Sequence, residues 1–330
     1  MRRTSRSISA WPRLAAYALT VLALISINFL LPRAMPGNPL DALLASSGTS
    51  GSGTELATRA NLASYYGLDR PLPEQYGSYL SSTARGDLGT SIRYRAPVRD
   101  VILARLPWTV LLVSTGAVLA TVVGLSAGVH SGWRRGRRAD QGLLALSIGI
   151  GNVPSYVVAS LAVLVFGVSL GWLPLGGATT AFVSMAPLSR LIDIARHLIL
   201  PATVLCLPFA AEQYLVMRAG MVSELGADYL ILGRAKGLPD RWLEYRYSAR
   251  NALVPVVNVA AVQIGSAFAV TVFVETVFDY PGIGRLMFDA VAVRDYPVLQ
   301  GCFLIISVTV VTLNAVAEVV HRRLDPRISG

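Results

Sequence analysis

The residue types that usually carry catalysis or bind metals are sparse in this 330-residue chain and do not form a known catalytic pattern. The three histidines, His130, His197 and His321, are scattered, and none belongs to a His-Glu-x-x-His motif. Cys206 and Cys302 lie inside apolar runs, so they indicate neither a disulfide framework nor a metal site. We therefore expect no catalytic residue and no metal in the chain, although motifs alone leave an intramembrane serine dyad open.

The only lysine, Lys236, follows Ala235 and precedes Gly237. It therefore does not belong to a GxxxxGK[ST] phosphate-binding loop, the motif that would bind a nucleotide. We expect any ATP hydrolysis linked to this chain to take place on another polypeptide.

Polar side chains inside long apolar runs are the remaining candidates for function, because an amide facing lipid is costly. Asn152, Gln263 and Asn314 are such residues and are predicted to line a solute pathway. The carboxylates Glu212, Glu275 and Glu318 lie near the ends of apolar runs, where a carboxylate is more often simply solvated. For each of these residues, a purely structural role stays open.

The composition indicates which elements must hold these residues. Hydrophobic residues make up 53% of the chain and charged residues only 15%, with a mean hydropathy of +0.54. A soluble domain carries about a quarter charged residues, so the deficit favours a membrane protein. The net charge of +10 does not indicate nucleic-acid binding, since the basic residues flank apolar runs and no aromatic stacking surface accompanies them.

Charge-poor runs of about 20 residues predict an all-α membrane protein with six transmembrane helices. The predicted spans cover residues 14–32, about 106–129, 143–166, 198–217, 252–274 and 298–320. The first is too long for the apolar core of a signal peptide and has a poor cleavage site, so we expect an uncleaved anchor. Residues 171–190 contain several turn formers and are predicted to be an outer loop.

The distribution of arginine predicts that both termini are cytoplasmic. Basic residues occupy roughly 25% of the segments that would then be inside and roughly 10% of those outside. The inner segments are 1–13, 130–140, 218–250 and 321–330, and the outer segments are 33–105, 171–197 and 275–299. Residues 106–320 form the predicted core domain with five of the six spans.

Two outer segments contain short predicted helices. In the loop 33–105, Thr54 is a candidate N-cap for a helix over 55–66, and Pro73 begins a second helix that Gly86 ends. Either a docking role for an external partner or a simple lid would account for this loop. Residues 281–296 predict an amphipathic helix with an Arg285–Asp289 pair, which could be a gate or a solvated connector.

The cytoplasmic loop 218–250 is longer than the 2–8 residues that usually connect helices in a bundle. It predicts a short helix from about Asp228 to Lys236, a left-handed turn at Gly237, and a second helix from about 239–240. A short surface helix with a sharp glycine exit is suited to insert into a groove of another protein.

This loop resembles the EAA loop of binding-protein-dependent ABC importer permeases, in particular the dipeptide, oligopeptide and nickel subfamily. The matching residues are Ala227-Asp228-Tyr229, Gly233-Arg234-Ala235-Lys236-Gly237-Leu238 and Arg250-Asn251-Ala252-Leu253-Val254-Pro255. Similar motifs elsewhere are Tyr66-Gly67-Leu68-Asp69-Arg70-Pro71-Leu72, Gly86-Asp87-Leu88-Gly89-Thr90-Ser91, Phe278-Asp279-Tyr280-Pro281-Gly282-Ile283-Gly284, Arg294-Asp295-Tyr296-Pro297-Val298 and Leu324-Asp325-Pro326-Arg327. The Glu-Ala-Ala of the general motif falls on Ile231-Leu232-Gly233, so the resemblance implies no salt bridge from that glutamate.

The resemblance implies a type I ABC importer permease fold in a bacterial inner membrane. It implies a second homologous permease subunit, one or two cytoplasmic ATPase subunits that hold ATP and magnesium, and an external solute-binding protein. The residues that would couple to the ATPase are Asp228, Tyr229, Arg234, Ala235, Lys236, Gly237 and Leu238. The implied solute is a di- or oligopeptide, and nickel, glutathione or haem are alternatives.

Two other classes of protein fit the sequence less well. A secondary transporter usually has more spans arranged as inverted repeats, and we see no internal repeat. An intramembrane metalloprotease would need the histidine pair that is missing here.

Overall fold

A computed structural model describes residues 10–34 and 70–324. The predicted helix 55–66 and most of both terminal segments lie outside the described residues. Within them the chain is helical, apart from turns and one isolated bridge between Thr90 and Pro97. The all-α prediction is confirmed.

Ten helices follow one another along the described chain. They are α1 (Ala10–Ala34), α2 (Leu72–Ala84), α3 (Val98–Trp133), α4 (Arg138–Gly151), α5 (Ser155–Ser169), α6 (Pro187–Glu224), α7 (Asp228–Ala235), α8 (Asp240–Val277), α9 (Ile283–Val293) and α10 (Tyr296–Leu324). The end of α5 and residues Leu243–Ser248 of α8 are π-helical.

Four of these helices, α3, α6, α8 and α10, are long and apolar enough to cross a membrane. Helices α4 and α5 together form a fifth candidate span. Helix α1 contains the whole of the first predicted span, residues 14–32, which carry no charged side chain. The structure is consistent with six spans, and that number stays a prediction.

The continuous span expected over about 143–166 is instead a pair of helices that meet at a bend of 101°. Asn152 ends α4, and Pro154 precedes the first residue of α5. A proline disfavours the α-helical conformation at the residue before it, so the Val153-Pro154 pair favours a helix end at this point. The break therefore follows from local sequence.

The described residues divide into two compact units. The first comprises 10–34, 70–107 and 282–311, and the second comprises 108–281 and 312–324.

In the first unit, the amphipathic helix α9 supplies much of the apolar core. Its buried residues Ile283, Leu286 and Ala290 pack with Val98 and Ile102 at the start of α3 and with the first turns of α10. Its Arg285 donates to Asp289 at 3.1 Å, so the predicted helix and ion pair are both confirmed.

Helix α1 is held in the same unit by polar and aromatic contacts. Asn28 donates to the hydroxyl of Tyr79 at 3.0 Å and to the backbone carbonyl of Gln300 at 2.7 Å. The ring of Phe29 lies 5.2 Å from that of Tyr76. These contacts join α1 to α2 and α10.

In the second unit, α3 packs against α6 through a stripe of small residues at four-residue spacing. The stripe comprises Gly116, Ala120, Gly124, Gly128 and Gly132. A Cβ atom added at Gly128 would lie 2.6 Å from the Cβ of Met217, and one at Gly132 would lie 2.5 Å from the Cβ of Met221. The two backbones therefore approach more closely than any side chain would allow, as in membrane helix pairs with small-residue stripes.

We expect Gly128→Ala to lower the free energy of unfolding by about 1–3 kcal/mol, because its methyl group must push α3 away from α6. The matched control is Gly142→Ala in α4, where an added Cβ meets no atom within 4 Å. That control should stabilise its helix by up to about 1 kcal/mol. Thermal unfolding of the purified chain in detergent measures both, and equal midpoints for the two variants would contradict close packing at Gly128.

Candidate functional site

Helix α7 is a two-turn helix lying between α6 and α8, close to the predicted range of 228–236. One face is buried, through Leu230 and Gly233. A Cβ atom at Gly233 would lie 2.5 Å from Cδ2 of Leu243, so the fully buried Leu243 of α8 occupies the space that a side chain would need. This contact packs α7 directly against α8.

The exit from α7 is a complete Schellman motif. The N–H of Leu238 donates to the carbonyl of Gly233 at 3.1 Å, and the N–H of Gly237 donates to that of Arg234 at 2.9 Å. Gly237 has a φ of +75°, which confirms the left-handed turn predicted from sequence. A Cβ added there would meet no atom within 4 Å, so a substitution acts through backbone strain and not through a clash within this chain.

Side chains at both ends fix α7 to its neighbours. The hydroxyl of Tyr229 donates to Glu224 at the end of α6, and its ring stacks on Tyr247 of α8 at 6.4 Å. Burial, followed by the bond to Glu224, raises the pKa of the Tyr229 hydroxyl, so it stays protonated at neutral pH. Arg234 lies 5.8 Å from the ring of Trp133 on α3. Helix α7 is thus held by α3, α6 and α8 together.

The opposite face of α7 is exposed and apolar. Ile231 and Leu232 are 62% and 56% exposed, and the nearby helix start adds Trp242 and Tyr245, both more than half exposed. Contiguous exposed apolar residues usually mark a surface that another protein or a membrane covers. The arrangement is suited to docking another protein.

The predicted coupling residues surround this face. Tyr229 and Leu238 are half-buried, and the exposed ones are Asp228, Arg234, Ala235, Lys236 and Gly237. Sequence reasoning did not select Ile231 and Leu232. The three consecutive apolar residues Leu230, Ile231 and Leu232 look alike in the sequence, and only the structure shows that Leu230 is buried while the other two are exposed.

A second cluster of polar residues lies within the spans. Gln263 of α8 donates to Glu212 of α6 at 2.6 Å and accepts from Gln213 of α6 at 2.7 Å. Gln213 and Gln263 are almost fully buried, whereas Glu212 is exposed. The side-chain oxygen of Gln213, Oε1, is buried without a hydrogen-bond partner among the described residues. Such a group is costly to leave unpaired, so this cluster is a place where another conformation or a bound group could satisfy it.

The two glutamines line an open cavity of about 280 Å³ between α3, α6 and α8. Its other walls are mostly apolar, and they comprise Ala117, Val118, Thr121, Val122, Phe209, Ala260, Ile264 and Ala267. A concave apolar site with a few fixed polar groups is the usual form of a solute-binding surface.

The other two predicted pathway residues do not join this cluster. Asn152 is exposed at the bend between α4 and α5 and donates to the carbonyl of Ile148 at 2.6 Å. Asn314 is exposed on α10 and makes no hydrogen bond within the described part of the chain. Of the three, only Gln263 lines the cavity between α3, α6 and α8, and its partners Glu212 and Gln213 come from a different span.

Among residues 10–34 and 70–324, no group of three or more His, Cys, Asp or Glu side chains lies close enough to hold a metal ion. The two cysteines are buried and not bonded to each other.

The chain is similar to one known family of membrane proteins and to named permeases within bacteria. The sequence model of the family described as "Binding-protein-dependent transport system inner membrane component" matches residues 120–330. A protein named "Putative peptide permease protein" in Brucella ovis is 37% identical over 310 residues, which cover 93% of this chain and 94% of the relative. The glutathione transport system permease protein of Escherichia coli K12 is 33% identical over 316 residues, covering 96% and 97% of the two chains.

Truncations on the two faces of α7 should separate the chain's own core from the exposed surface. We expect Leu230→Ala to lower the free energy of unfolding by about 2–5 kcal/mol, since Leu230 is fully buried. Ile231→Ala removes a similar apolar side chain that is 62% exposed, so its effect should stay within about 0.5 kcal/mol. Thermal unfolding of the isolated chain in detergent measures both, and a comparable loss for Ile231→Ala would show that this face packs within the chain itself.

Proposed function

The chain belongs to the family of binding-protein-dependent transport system inner membrane components, and from this membership we propose that it forms part of the pathway of an ATP-driven importer for di- or oligopeptides. The family establishes a membrane permease that works with an ATPase and a solute-binding protein.

The observation that carries the coupling proposal is the rigidly held apolar face of α7. Ile231 and Leu232 are exposed, while Leu230, Gly233 and Tyr229 fix the helix to the rest of the second unit. We assign this face to a groove on the cytoplasmic ATPase subunit, which would hold ATP and magnesium. A rigid contact is required because a movement of the ATPase must reach the spans without being absorbed by a flexible loop.

The assignment of a peptide as solute rests on the relatives and on the chemistry of the cavity. The relatives are named for peptide and glutathione transport. The amides of Gln213 and Gln263 offer the same donors and acceptors that a peptide bond presents, beside apolar walls suited to side chains. Glutathione is itself a small peptide, and nickel or haem are alternatives known within the subfamily that the sequence resembles.

In the orientation proposed from the arginine distribution, α7 and both termini are cytoplasmic and the loop 33–105 is outside. Since α6 and α8 are candidate spans on either side of α7, this orientation would put α7 at the cytoplasmic end of both. A second homologous permease subunit and one or two ATPase subunits would complete the transporter.

We expect Gly237→Val to uncouple ATP hydrolysis from the loaded binding protein. The left-handed backbone at Gly237 costs a non-glycine residue about 1–2 kcal/mol, and a β-branched residue more, so the turn should open and α7 should change direction. The measurement is the ATPase activity of reconstituted complexes with and without the loaded binding protein, together with co-purification of the ATPase.

The matched control for this variant is Gly226→Val, in the turn before α7. Gly226 also has open space around it, but its φ is not positive. Stimulation should be retained in the control and lost in Gly237→Val at equal membrane levels. Normal stimulation and transport in Gly237→Val would make the coupling role of α7 wrong.

For the pathway, we expect Gln263→Leu to lower the rate of dipeptide import at least about tenfold at equal membrane levels, because it removes the hydrogen bonds to Glu212 and Gln213. Ile264→Leu changes the next residue, which lines the same cavity, without changing polarity or volume, and it should transport normally. Uptake of a radiolabelled dipeptide into proteoliposomes containing the full complex measures both. Equal uptake would assign Gln263 a structural role only.

A further inference from the structure

The outer segment before α3 contains a tight turn with an exposed Arg93-Tyr94-Arg95 tip. The chain reverses between Gly89 and Val98, where the N–H of Val98 donates to Gly89 at 3.0 Å and the N–H of Ser91 donates to Ala96 at 2.9 Å. All three tip residues are exposed, Tyr94 by 36%. The turn belongs to the first unit and lies outside the part of the chain that the family model matches.

A buried carboxylate, that of Asp295, holds this turn in place. Asp295 is 1% exposed, and its Oδ2 accepts from the hydroxyl of Ser91 at 2.6 Å and from the N–H of Arg93 at 3.0 Å. The hydroxyl oxygen of Ser91 in turn accepts from the N–H of Tyr94 at 3.0 Å. Because Asp295 sits in the turn between α9 and α10, the tip is tied to the core of the unit and does not move independently of it.

The tip is also held in an uncommon backbone conformation. Arg95 has a φ of +51°, a left-handed conformation that costs a residue with a Cβ atom about 1–2 kcal/mol. Its N–H donates to the carbonyl of Ser91 at 3.1 Å. Strained residues of this kind persist where the surrounding structure determines them, and they cluster at functional surfaces.

Within residues 10–34 and 70–324, no carboxylate neutralises the arginines at the tip. Neither Arg93 nor Arg95 forms an ion pair with any residue in the described ranges, and the guanidinium of Arg93 lies 5.7 Å from the ring centroid of Tyr94. Arginine and tyrosine are the residue types enriched at the centres of protein interfaces. Outer segments need no arginine for membrane orientation, so a basic tip there calls for another role.

We propose that the Arg93-Tyr94-Arg95 tip docks an acidic surface patch of the external solute-binding protein. The proposal rests on the proposed function, which places this segment outside and supplies that partner. An anionic membrane surface is the less favoured occupant, because lipid-binding clusters usually carry about four to eight basic residues and the tip carries two. A fixed pair of arginines around a tyrosine instead matches one defined site on a protein.

The test uses the full reconstituted transporter with its own binding protein, and it measures the concentration of loaded binding protein that gives half-maximal stimulation of ATPase activity. Reversing both charges, with Arg93→Glu and Arg95→Glu, should raise this concentration about tenfold at low salt and leave maximal stimulation unchanged. The difference from the native complex should shrink as salt is raised, because salt screens exposed charges.

The matched control reverses Arg70 and Arg85, two exposed arginines that flank α2 in the same outer segment. This double variant has the same net charge, and its half-maximal concentration should stay within about twofold of the native value. An equal rise in both variants would show a general charge effect and would overturn the assignment to the tip.

Photo-cross-linking identifies the occupant directly. With Tyr94→benzoylphenylalanine, illumination should attach the loaded binding protein to this chain, and excess unlabelled binding protein should compete. Cross-links to lipid alone, or an unchanged half-maximal concentration in the Arg93/Arg95 variant, would overturn the docking proposal while leaving the importer function intact. A native complex that no loaded binding protein stimulates would overturn the proposed function and the docking assignment with it.

Discussion

The second unit depends on the close approach of α3 and α6, which the small-residue stripe makes possible. Lipid tails are as apolar as the side chains of a span, so burial alone does not drive two membrane helices together, and close backbone packing must do so. With Gly124, Gly128 and Gly132 against it, α6 comes near enough for Tyr214 to reach Ser131 at 2.7 Å. A wider helix separation would break the polar contacts that follow along the same interface.

Those polar contacts fix the end of the unit that lies next to α7. Asp140 at the start of α4 is 1% exposed and accepts from Arg218 of α6 at 2.6 and 2.8 Å, from Ser131 of α3, and from the N–H of Gly136 at 2.8 Å. Breaking a buried pair of this kind by removing one partner leaves a buried charge unpaired, which is strongly destabilising. Glu244 of α8, 2% exposed, is paired with Arg134 at 3.2 Å. The ends of α3, α6 and α8 that contact α7 are therefore held rigidly.

Helix α6 connects these helix ends to the polar cluster in the spans. Gln213 and Glu224 lie on the same unbroken helix, about 16 Å apart along its axis at 1.5 Å per residue. Glu224 accepts from Tyr229 on α7, and Gln213 donates to Gln263 on α8. A displacement of α7 would thus be transmitted to the cavity by one stiff helix. The side-chain oxygen of Gln213 has no hydrogen-bond partner among the described residues, so a second arrangement of the cavity that pairs this oxygen would be favoured.

Local sequence was sufficient for some of these features and insufficient for others. The Schellman turn at Gly237 and the amphipathic helix α9 follow from neighbours within a few residues, and both predictions are confirmed. The break at residues 152–154 also has a local cause, Pro154. It was not predicted because hydropathy averaged over a long window does not respond to a single proline. The partners of Gln263, in contrast, lie about 50 residues away on another helix. Without knowing which helices pack together, one can see from the sequence that a span contains an amide, but not which groups that amide contacts.

The chemistry of the two proposed docking surfaces differs in a way that fits a transport cycle. The general family motif has a glutamate where this chain has Ile231, and that side chain is exposed and apolar. Burial of apolar surface does not depend on charge, so a contact made by Ile231 should be little affected by salt. The outer tip presents Arg93 and Arg95, and charged contacts speed encounter more than they strengthen binding. A binding protein must arrive, release its solute and leave in each cycle, so fast association with modest affinity is the property that the outer surface requires.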